Sequence, residues 1–318
     1  MVNFFLRSYL IGLLSLLTVG CSLSGRSSSA EVILFTAING GDYHISTIWL
    51  DGSHLKPLLD PEPGRSYVVA SGNSLRSTIV VLVHETNPKG EADDHLYLHR
   101  PDSGAWKRLT VGDGYEASGA ISPDESQIVF MLAPKRAFGK LRLWTMNLKA
   151  GEPKRLTGEE GKEDENEWDQ YPAWSPDSKE IAFIRLRRTQ KGLTSTLMRV
   201  SANGGEPSVF LGPDEGVGGF CYAPDGKHFA VLTNKGLETI ETSERKRNLI
   251  LPWSKFPNYQ FRAGGLKWSQ TQNKIAFSIY NAQADQHELW IVSTDGSDTK
   301  RIYTQKGGML ALSSFIRE

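Results

Sequence analysis

Short apolar stretches alternate with turn-forming residues along most of this chain. Residues 170–183, QYPAWSPDSKEIAF, show the pattern most clearly, because one apolar strand ends at Trp174 and a second begins at Glu180. The intervening Ser175-Pro-Asp-Ser178 suits a tight turn, since proline presets φ at the first central position and aspartate bonds nearby backbone at the second. This stretch therefore predicts a β-hairpin.

The hairpin pattern recurs at nearly regular intervals. Its copies lie at residues 68–81, 118–130, 219–231 and 265–277. The turn serine or its equivalent falls at positions 71, 122, 175, 223 and 269, so successive spacings are 51, 53, 48 and 46 residues. Two more strand signals follow each hairpin, as in residues 141–148 and 153–157 after the copy at 118–130. Four short strands per repeat at this period predict the blades of a β-propeller.

The two ends of the chain complete the repeat count. Residues 31–36 begin at the second strand position, and residues 47–51 and 56–60 supply the third and fourth strands. Residues 309–314 form a first strand with only four residues after it. Pairing this C-terminal strand with the N-terminal strands would complete one blade and remove exposed sheet edges. We therefore predict an all-β, six-bladed propeller of four-stranded antiparallel blades, in preference to an open array or a sandwich.

The repeat resembles the Pro-Asp propeller repeat of the TolB family. The matching residues are Trp174-Ser-Pro-Asp177, Ile181-Ala-Phe183, Leu143-Trp144 and Arg155-Leu-Thr157, and the resemblance extends over residues 31–318. This resemblance implies the propeller fold but does not imply a particular function. TolB proteins are periplasmic and carry an added N-terminal domain, whereas some relatives carry a peptidase domain beside a similar propeller. We expect neither extra domain here, so the resemblance does not imply a role in the Tol system.

The first thirty residues have the pattern of an export signal. Arg7 precedes an apolar run at residues 8–20, which is short for a bilayer span and has the length of a secretory signal core. The run ends at Cys21, and Leu17-Thr-Val-Gly-Cys21 resembles a bacterial lipobox, although Thr18 stands where leucine is commonest. We predict a lipoprotein signal peptide at 1–20, an acylated Cys21 with a flexible tether to residue 30, and the propeller at 31–318. An ordinary signal peptide with a chance cysteine is the alternative.

Composition and charge narrow the range of partners. The chain has 36 lysines and arginines against 36 aspartates and glutamates, so no net field favours nucleic acid as a partner. Acyl chains on Cys21 would instead hold the protein on a bacterial membrane, facing the periplasm or another extracytoplasmic compartment. Cys221, the other cysteine, lies in an apolar strand and is expected to act as a small buried hydrophobe.

The longest connections are predicted on one rim of the ring. The Ser-Pro-Asp turns join first to second strands, so the opposite rim carries the connections from second to third strands and from blade to blade. We call these two sides the Pro-Asp rim and the long-loop rim. The predicted long loops are residues 84–94, 158–170, 185–195 and 252–262. Loops on a rigid scaffold commonly carry binding residues.

An acidic segment on the long-loop rim is the first candidate partner site. Residues 159–169 hold seven acidic residues against one lysine. The predicted partner-binding residues are Glu163, Asp164, Glu167, Trp168, Asp169 and Tyr171, with Arg185 and Arg187 from the same blade. Aromatic residues beside charges are common at interfaces. Two alternatives are a calcium loop, for which the turn glycine is missing, and a solvated loop paired with the nearby arginines.

The second candidate is an aromatic-rich loop within residues 252–262. Four aromatic residues lie in this loop, namely Trp253, Phe256, Tyr259 and Phe261. Trp253, Tyr259 and Phe261 are predicted to contact a partner or ligand, because aromatic side chains often anchor interfaces. The alternative interpretation is that this loop packs over the end of the neighbouring blade.

Catalytic motifs are not evident in the sequence. There is no Gly-x-Ser-x-Gly elbow and no phosphate-binding glycine loop, and the seven histidines are scattered, so no catalytic residue, metal or cofactor is predicted. Asp124, Asp177 and Asp225 recur at equivalent turns and are interpreted as turn residues. The sequence thus favours a membrane-anchored envelope lipoprotein whose non-catalytic propeller binds a protein, peptide or glycan. The alternatives are a glycan lyase or hydrolase with its site at the channel mouth, and a purely structural subunit.

Overall fold

The computed structural model describes residues 31–39, 42–60, 62–72, 78–86, 90, 92–112, 114–133, 140–149, 151–159, 161–162, 164–260 and 265–317. β-Strands account for nearly all of the regular structure in these residues, with short 3-10 helices at Pro213–Glu215 and Trp253–Lys255. The predicted signal peptide, Cys21 and the tether lie outside the described residues.

The strands form six antiparallel sheets, which are the blades of a propeller. Blade 1 contains β1 (Glu31–Asn39), β2 (Asp42–Trp49), β3 (Lys56–Leu59) and β25 (Met309–Arg317). Blade 2 contains β4 (Arg65–Gly72), β5 (Ile79–Thr86), β6 (Ala92–Arg100) and β7 (Ala105–Arg108). Blade 3 contains β8 (Tyr115–Ile121), β9 (Gln127–Ala133), β10 (Arg142–Asn147) and β11 (Lys154–Arg155).

The remaining three blades follow in chain order. Blade 4 contains β12 (Glu167–Trp174), β13 (Glu180–Thr189), β14 (Gly192–Ser201) and β15 (Ser208–Leu211). Blade 5 contains β16 (Gly219–Tyr222), β17 (His228–Leu232), β18 (Gly236–Glu241) and β19 (Arg247–Pro252). Blade 6 contains β20 (Tyr259–Gln260), β21 (Leu266–Trp268), β22 (Lys274–Asn281), β23 (Gln286–Ser293) and β24 (Thr299–Lys306). In blade 6, β20 and β21 both pair with β22 and together occupy the first strand position.

The ring closes through pairing of the two chain ends. β25 runs antiparallel to β1, from Glu31 opposite Arg317 to Ile38 opposite Met309. The first strands of the blades, β25, β4, β8, β12, β16 and β21, each contact the first strands of both neighbouring blades. These six strands therefore surround a central channel. The predicted six-bladed ring, closed by the C-terminal strand, is confirmed.

Side chains on both faces of the second strands build the core. In β13, Ile181 and Phe183 pack toward blade 3, whereas Ala182 and Ile184 pack toward blade 5. Successive strand residues point to opposite faces, so a strand covered on both sides needs apolar residues at every position. This requirement explains the unbroken apolar run in the second strand of the repeat.

The Ser-Pro-Asp turns are held by one repeated hydrogen-bond pattern. Ser175 Oγ donates to Asp177 Oδ1 at 2.7 Å and accepts the Glu180 amide at 2.9 Å. The serine hydrogen bonds lower the pKa of Asp177 and that of its counterpart Asp124. A lowered carboxyl pKa stabilises the fold above the ordinary aspartate pKa, and this contribution is lost as the pH falls through the folded-state value. Both aspartates are therefore scaffold, as the sequence predicted.

The corresponding turn of blade 6 obtains its carboxylate from another blade. Residues 269–272 read Ser-Gln-Thr-Gln and contain no aspartate. The buried carboxylate of Glu31, at the start of β1, accepts hydrogen bonds from Ser269 Oγ, from the Gln270 amide at 2.6 Å and from Thr271 Oγ1 at 3.0 Å. Blade 1 is thus fastened to blade 6 by a side chain as well as by core packing.

All four predicted long loops are partly strand, and the loop at residues 252–262 contains β20. Residues 185–195 form the paired ends of β13 and β14, which meet at a turn of residues 190–191. Residues 84–94 likewise include the ends of β5 and β6. The first strand of blade 4 begins at Glu167, four residues before its predicted start at Tyr171. Opposite charges paired across β12 and β13 keep the ends of these two strands extended although they are not apolar.

Candidate functional site

The acidic segment of blade 4 faces a row of arginines. In the register of β12 and β13, Glu167 lies opposite Arg187 and Asp169 lies opposite Arg185. Arg185 donates to both carboxylate oxygens of Asp169, at 2.7 and 3.0 Å, and its Nε lies 3.4 Å from Glu167 Oε1. Asp164 Oδ2 lies 3.0 Å from Arg187 Nη2. The segment is therefore paired with arginines, which is the alternative that the sequence left open.

Part of this charge cluster is buried and belongs to the scaffold. Asp169 is fully buried. Arg142 of blade 3 is also buried, and it donates to the backbone oxygens of Glu167 at 2.6 Å and Leu141 at 2.9 Å. Burial lowers the pKa of Arg142, and the charges of Asp169 and Glu167 oppose that shift. The two carboxylates and the guanidinium groups of Arg142 and Arg185 compensate one another across the interface of blades 3 and 4.

The exposed part of the segment remains available to a partner. The side chains of Asp164 and Arg187 are 41% and 56% exposed, so solvent screens their ion pair. Trp168 is half-buried against the core between blades 3 and 4, with the Arg188 guanidinium 6.0 Å from its ring. Glu163 lies outside the described residues.

Tyr171 occupies a bulge in the first strand of blade 4. The register with β13 shifts between Gln170 and Ala173, and Tyr171 has a φ of 54°. The Tyr171 amide lies 3.4 Å from the sulfur of Met131, and its ring packs against the core between blades 4 and 5. Burial raises the pKa of the phenol. Tyr171 is therefore partly buried, with its ring against core residues.

The aromatic loop packs against blade 6. Phe256 is buried, and its ring lies edge-on to those of Tyr259 and Trp290, each with a centroid distance of 5.2 Å. Trp253 is half-buried and donates from Nε1 to the Thr233 carbonyl at 2.7 Å. These contacts correspond to the packing alternative for Trp253 and Tyr259. Phe261 lies outside the described residues.

A groove between blades 1 and 2 on the long-loop rim was not predicted. It is an open cavity of about 630 Å³, which we call the blade 1–2 groove. Its ionisable lining residues are Asp42, Glu62, Arg65, His84, Glu85 and Asp94. His84 Nδ1 lies 2.8 Å from Asp94 Oδ1, and Arg65 Nε donates to Glu85 at 3.0 Å. The groove therefore offers acceptors, donors and an imidazole oriented by a carboxylate.

A buried histidine, His95, lies between blades 2 and 3. His95 Nε2 lies 2.7 Å from Asp93 Oδ1, and its Nδ1 lies 3.3 Å from Glu116 Oε2 on the first strand of blade 3. Burial opposes protonation of His95, but hydrogen bonding and the charge of Glu116 together raise the pKa of the imidazole. Burial also raises the pKa of Glu116. Within the described residues, no group of three or more histidine, cysteine, aspartate or glutamate side chains could hold a metal ion.

The two functional hypotheses, a binding protein and an enzyme, imply different side chains along the wall of the central channel. An inward-facing cluster of histidine, acidic and arginine residues would favour an enzyme, and small side chains would favour a binding protein. The partly exposed positions in the middle of the described first strands are mainly small, and include Ala70, Ser71, Ala117, Ser118, Ala120, Ala173 and Ala311. Lys267 of β21 departs from this pattern. The described first strands therefore present mainly small side chains at these positions, apart from Lys267.

In the part of the chain that the structure covers, no helix has the length and apolarity needed to cross a membrane. No protein-family model and no curated protein matches this chain.

Solved structures with a similar fold include TolB proteins. TolB from Acinetobacter baumannii gives a TM-score of 0.65 at 15% identity, over 90% of this chain and 66% of its own length. The putative TolB from Agrobacterium tumefaciens gives 0.60 at 14% identity, over 89% of this chain and 91% of that protein. An oligogalacturonate lyase in complex with manganese gives 0.51 at 14% identity, over 87% and 74% of the two chains.

The chain thus spans just under two thirds of the Acinetobacter protein. Identities of 13–15% establish the fold and leave activity and partners open. The blade count, the closure by the C-terminal strand and the likeness to two TolB structures agree: this chain folds as a six-bladed, TolB-like β-propeller.

Proposed function

We propose that this chain is an envelope lipoprotein, anchored through Cys21, whose non-catalytic propeller binds a protein, peptide or glycan partner at the long-loop rim. The observation that carries the proposal is the blade 1–2 groove, a cavity of about 630 Å³ with ionisable groups on its wall. The exposed pair of Asp164 and Arg187 adds polar surface on the same rim. Paired rim charges contribute specificity and orientation to a complex more than raw affinity.

A glycan lyase or hydrolase is the second candidate function. The observation that favours it is the pair of His84 and Asp94 in the groove, because an imidazole oriented by a carboxylate can act as a general base. The small residues of the channel lining favour the non-catalytic function. The two candidates differ in whether a variant of His84 changes turnover of a glycan or only its binding.

The partner site is tested by cross-linking in the native envelope. The double variant His84→Gln with Glu85→Gln removes an imidazole and a carboxylate from the groove. We expect the cross-linked partner to fall to a minor fraction of its wild-type amount, because its polar contacts lose their counterparts. Intact protein levels are verified by immunoblotting of the same samples.

The Pro-Asp rim supplies a matched control. His228 there pairs with Asp225 at 3.0 Å and is similarly open to solvent. His228→Gln is expected to leave the cross-linked products unchanged. Identical products from the wild type, the groove variant and the control would refute binding at the groove. Glycan turnover that is lost in the groove variant would favour the enzyme instead.

The membrane anchor is tested separately by metabolic labelling. Wild-type protein is expected to incorporate palmitate and to sediment with membranes, whereas Cys21→Ser is expected to lose both properties because the acceptor thiol is gone. Cys221→Ser serves as the control, since this cysteine is buried in the core between blades 5 and 6. Palmitate labelling that persists in Cys21→Ser would refute the predicted anchor.

A further inference from the structure

A small cluster of ionisable side chains lies between blades 2 and 3. His95 of β6 and Glu116 of β8 are both almost completely buried, and they meet where the third strand of blade 2 contacts the first strand of blade 3. Asp93, two residues before His95, is 31% exposed and completes the group, which we call the His95 cluster. Leu96, the next residue of β6, belongs to the core between the same two blades, so the cluster borders an apolar interior.

Both ring nitrogens of His95 face a carboxylate oxygen. Nε2 lies 2.7 Å from Asp93 Oδ1, and Nδ1 lies 3.3 Å from Glu116 Oε2. Neither Nδ1 nor Glu116 Oε2 has another hydrogen-bond partner among the described residues. A neutral imidazole carries one N–H donor and one lone pair, so it can donate to only one of the two carboxylates. Without a further proton, a nitrogen lone pair would therefore face a buried carboxylate.

One additional proton removes this conflict. On His95 it creates an imidazolium, which donates to both carboxylates in charge-assisted hydrogen bonds, and such bonds are roughly twice as strong as neutral ones. On Glu116 it would create one neutral hydrogen bond to Nδ1. His95 is therefore the more favourable place for the proton.

The surrounding charges support a protonated His95. Burial opposes the charge, but hydrogen bonding with Glu116 and Asp93 and the negative charge of Glu116 raise the pKa of the imidazole. Burial also raises the pKa of Glu116, and the charge of Asp94 adds to this effect. Arg108 is a nearby cation, and its charge opposes both of these shifts.

We propose that the His95 cluster is a pH-sensitive contact, which holds blades 2 and 3 together most strongly in mildly acidic solution and weakens as the pH rises. A raised pKa means that the folded chain binds this proton more tightly than the unfolded chain. The stabilising effect is complete below the unfolded-state pKa of histidine and is lost as the pH rises through the folded-state value. The turn aspartates Asp177 and Asp124 behave in the opposite way, since their contribution is lost as the pH falls.

The proposal is tested by the stability of Glu116→Gln at several pH values. The glutamine amide can donate to Nδ1 of a neutral imidazole whose Nε2–H donates to Asp93, so this variant needs no additional proton. Urea denaturation gives the unfolding equilibrium constants of wild type and variant from about pH 5.5 to about pH 8.5. Over this range the wild-type constant is expected to rise roughly tenfold or more relative to that of the variant, because a difference of one bound proton changes the constant by up to about tenfold per pH unit.

His228→Gln is the matched control, because it removes an exposed histidine that also lies 3.0 Å from an aspartate. Its unfolding constant is expected to keep a fixed ratio to that of wild type over the same pH range, since solvent screens the exposed pair. A ratio for Glu116→Gln that does not change with pH would overturn the proposal even if the variant is less stable, because lost packing lowers the stability equally at each pH.

NMR of the ¹⁵N-labelled histidine rings gives a readout that does not depend on stability. The ring nitrogen shifts distinguish an imidazolium from a neutral imidazole, and the His95 signal is the one absent from His95→Gln. His95 is expected to remain an imidazolium at a higher pH than the histidines of the protein unfolded in urea. A His95 ring that becomes neutral at the same pH or at a lower one would overturn the proposal. Neither outcome bears on the partner site of the long-loop rim, so the two proposals are tested separately.

Discussion

Asp169→Asn is expected to destabilise the protein by about 3–5 kcal/mol, because the substitution leaves buried positive charge without compensation. Asp169 is fully buried and accepts both hydrogen bonds of the Arg185 guanidinium, with Arg142 nearby. Asparagine has the shape of aspartate but no negative charge, and its NH₂ group would face the Arg185 guanidinium, which is itself a donor. Equilibrium denaturation in urea measures the loss as a lower midpoint.

Asp164→Asn is the matched control for this prediction. Asp164 belongs to the same acidic segment and also pairs with an arginine, but its side chain is 41% exposed. The cost is expected to stay below about 1 kcal/mol, since exposed pairs contribute little. Equal costs at the two positions, or an unchanged midpoint in Asp169→Asn, would contradict the division of the segment into a buried scaffold and an exposed surface.

Glu31→Gln is expected to cost about 2–4 kcal/mol, because three donors of blade 6 lose a charged acceptor. The donors are the hydroxyl groups of Ser269 and Thr271 and the Gln270 amide. The NH₂ group of the glutamine is itself a donor, so it could not accept the hydrogen bonds that one carboxylate oxygen accepts. Urea denaturation gives the cost, and hydrogen exchange at β1 and β21 is expected to show faster opening at this joint.

Asp177→Asn provides the comparison for Glu31. Asp177 serves an equivalent turn of blade 4, but its side chain is 59% exposed and it comes from the same hairpin. A cost of about 1 kcal/mol or less is expected there. A Glu31→Gln protein as stable as wild type would show that the Glu31 carboxylate does not stabilise the contact between blades 1 and 6.

The fold could be predicted because its determinants are local in sequence. Proline and aspartate at the tight turns, unbroken apolar second strands and a regular spacing each mark one blade. The N-terminal segment supplies three strands of blade 1 and the C-terminal segment supplies the fourth, and β25 pairs with β1 as expected. Blade 6 was recognised despite its missing turn aspartate, but the replacement by Glu31 could not be predicted, since 238 positions separate it from Ser269.

The candidate sites were harder to predict, because they depend on how distant segments meet. The blade 1–2 groove combines Asp42, Arg65, His84 and Asp94 from four strands. Charged residues near Arg187 suggested a loop, yet cross-strand ion pairs extend β12 and β13 to the rim. Charged residues at every second position, acidic at 167 and 169 and basic at 185 and 187, were the sequence signal that could have revealed this extension.

The central claim, that a partner occupies the long-loop rim, is tested most directly by site-specific photo-cross-linking in the intact envelope. A photoreactive residue in place of Thr86, an exposed residue of the groove lining, is compared with one in place of His228 on the Pro-Asp rim. Capture of a defined product from position 86 and none from position 228 is the predicted result. Capture from position 228 alone, or the same products from both positions, would contradict it.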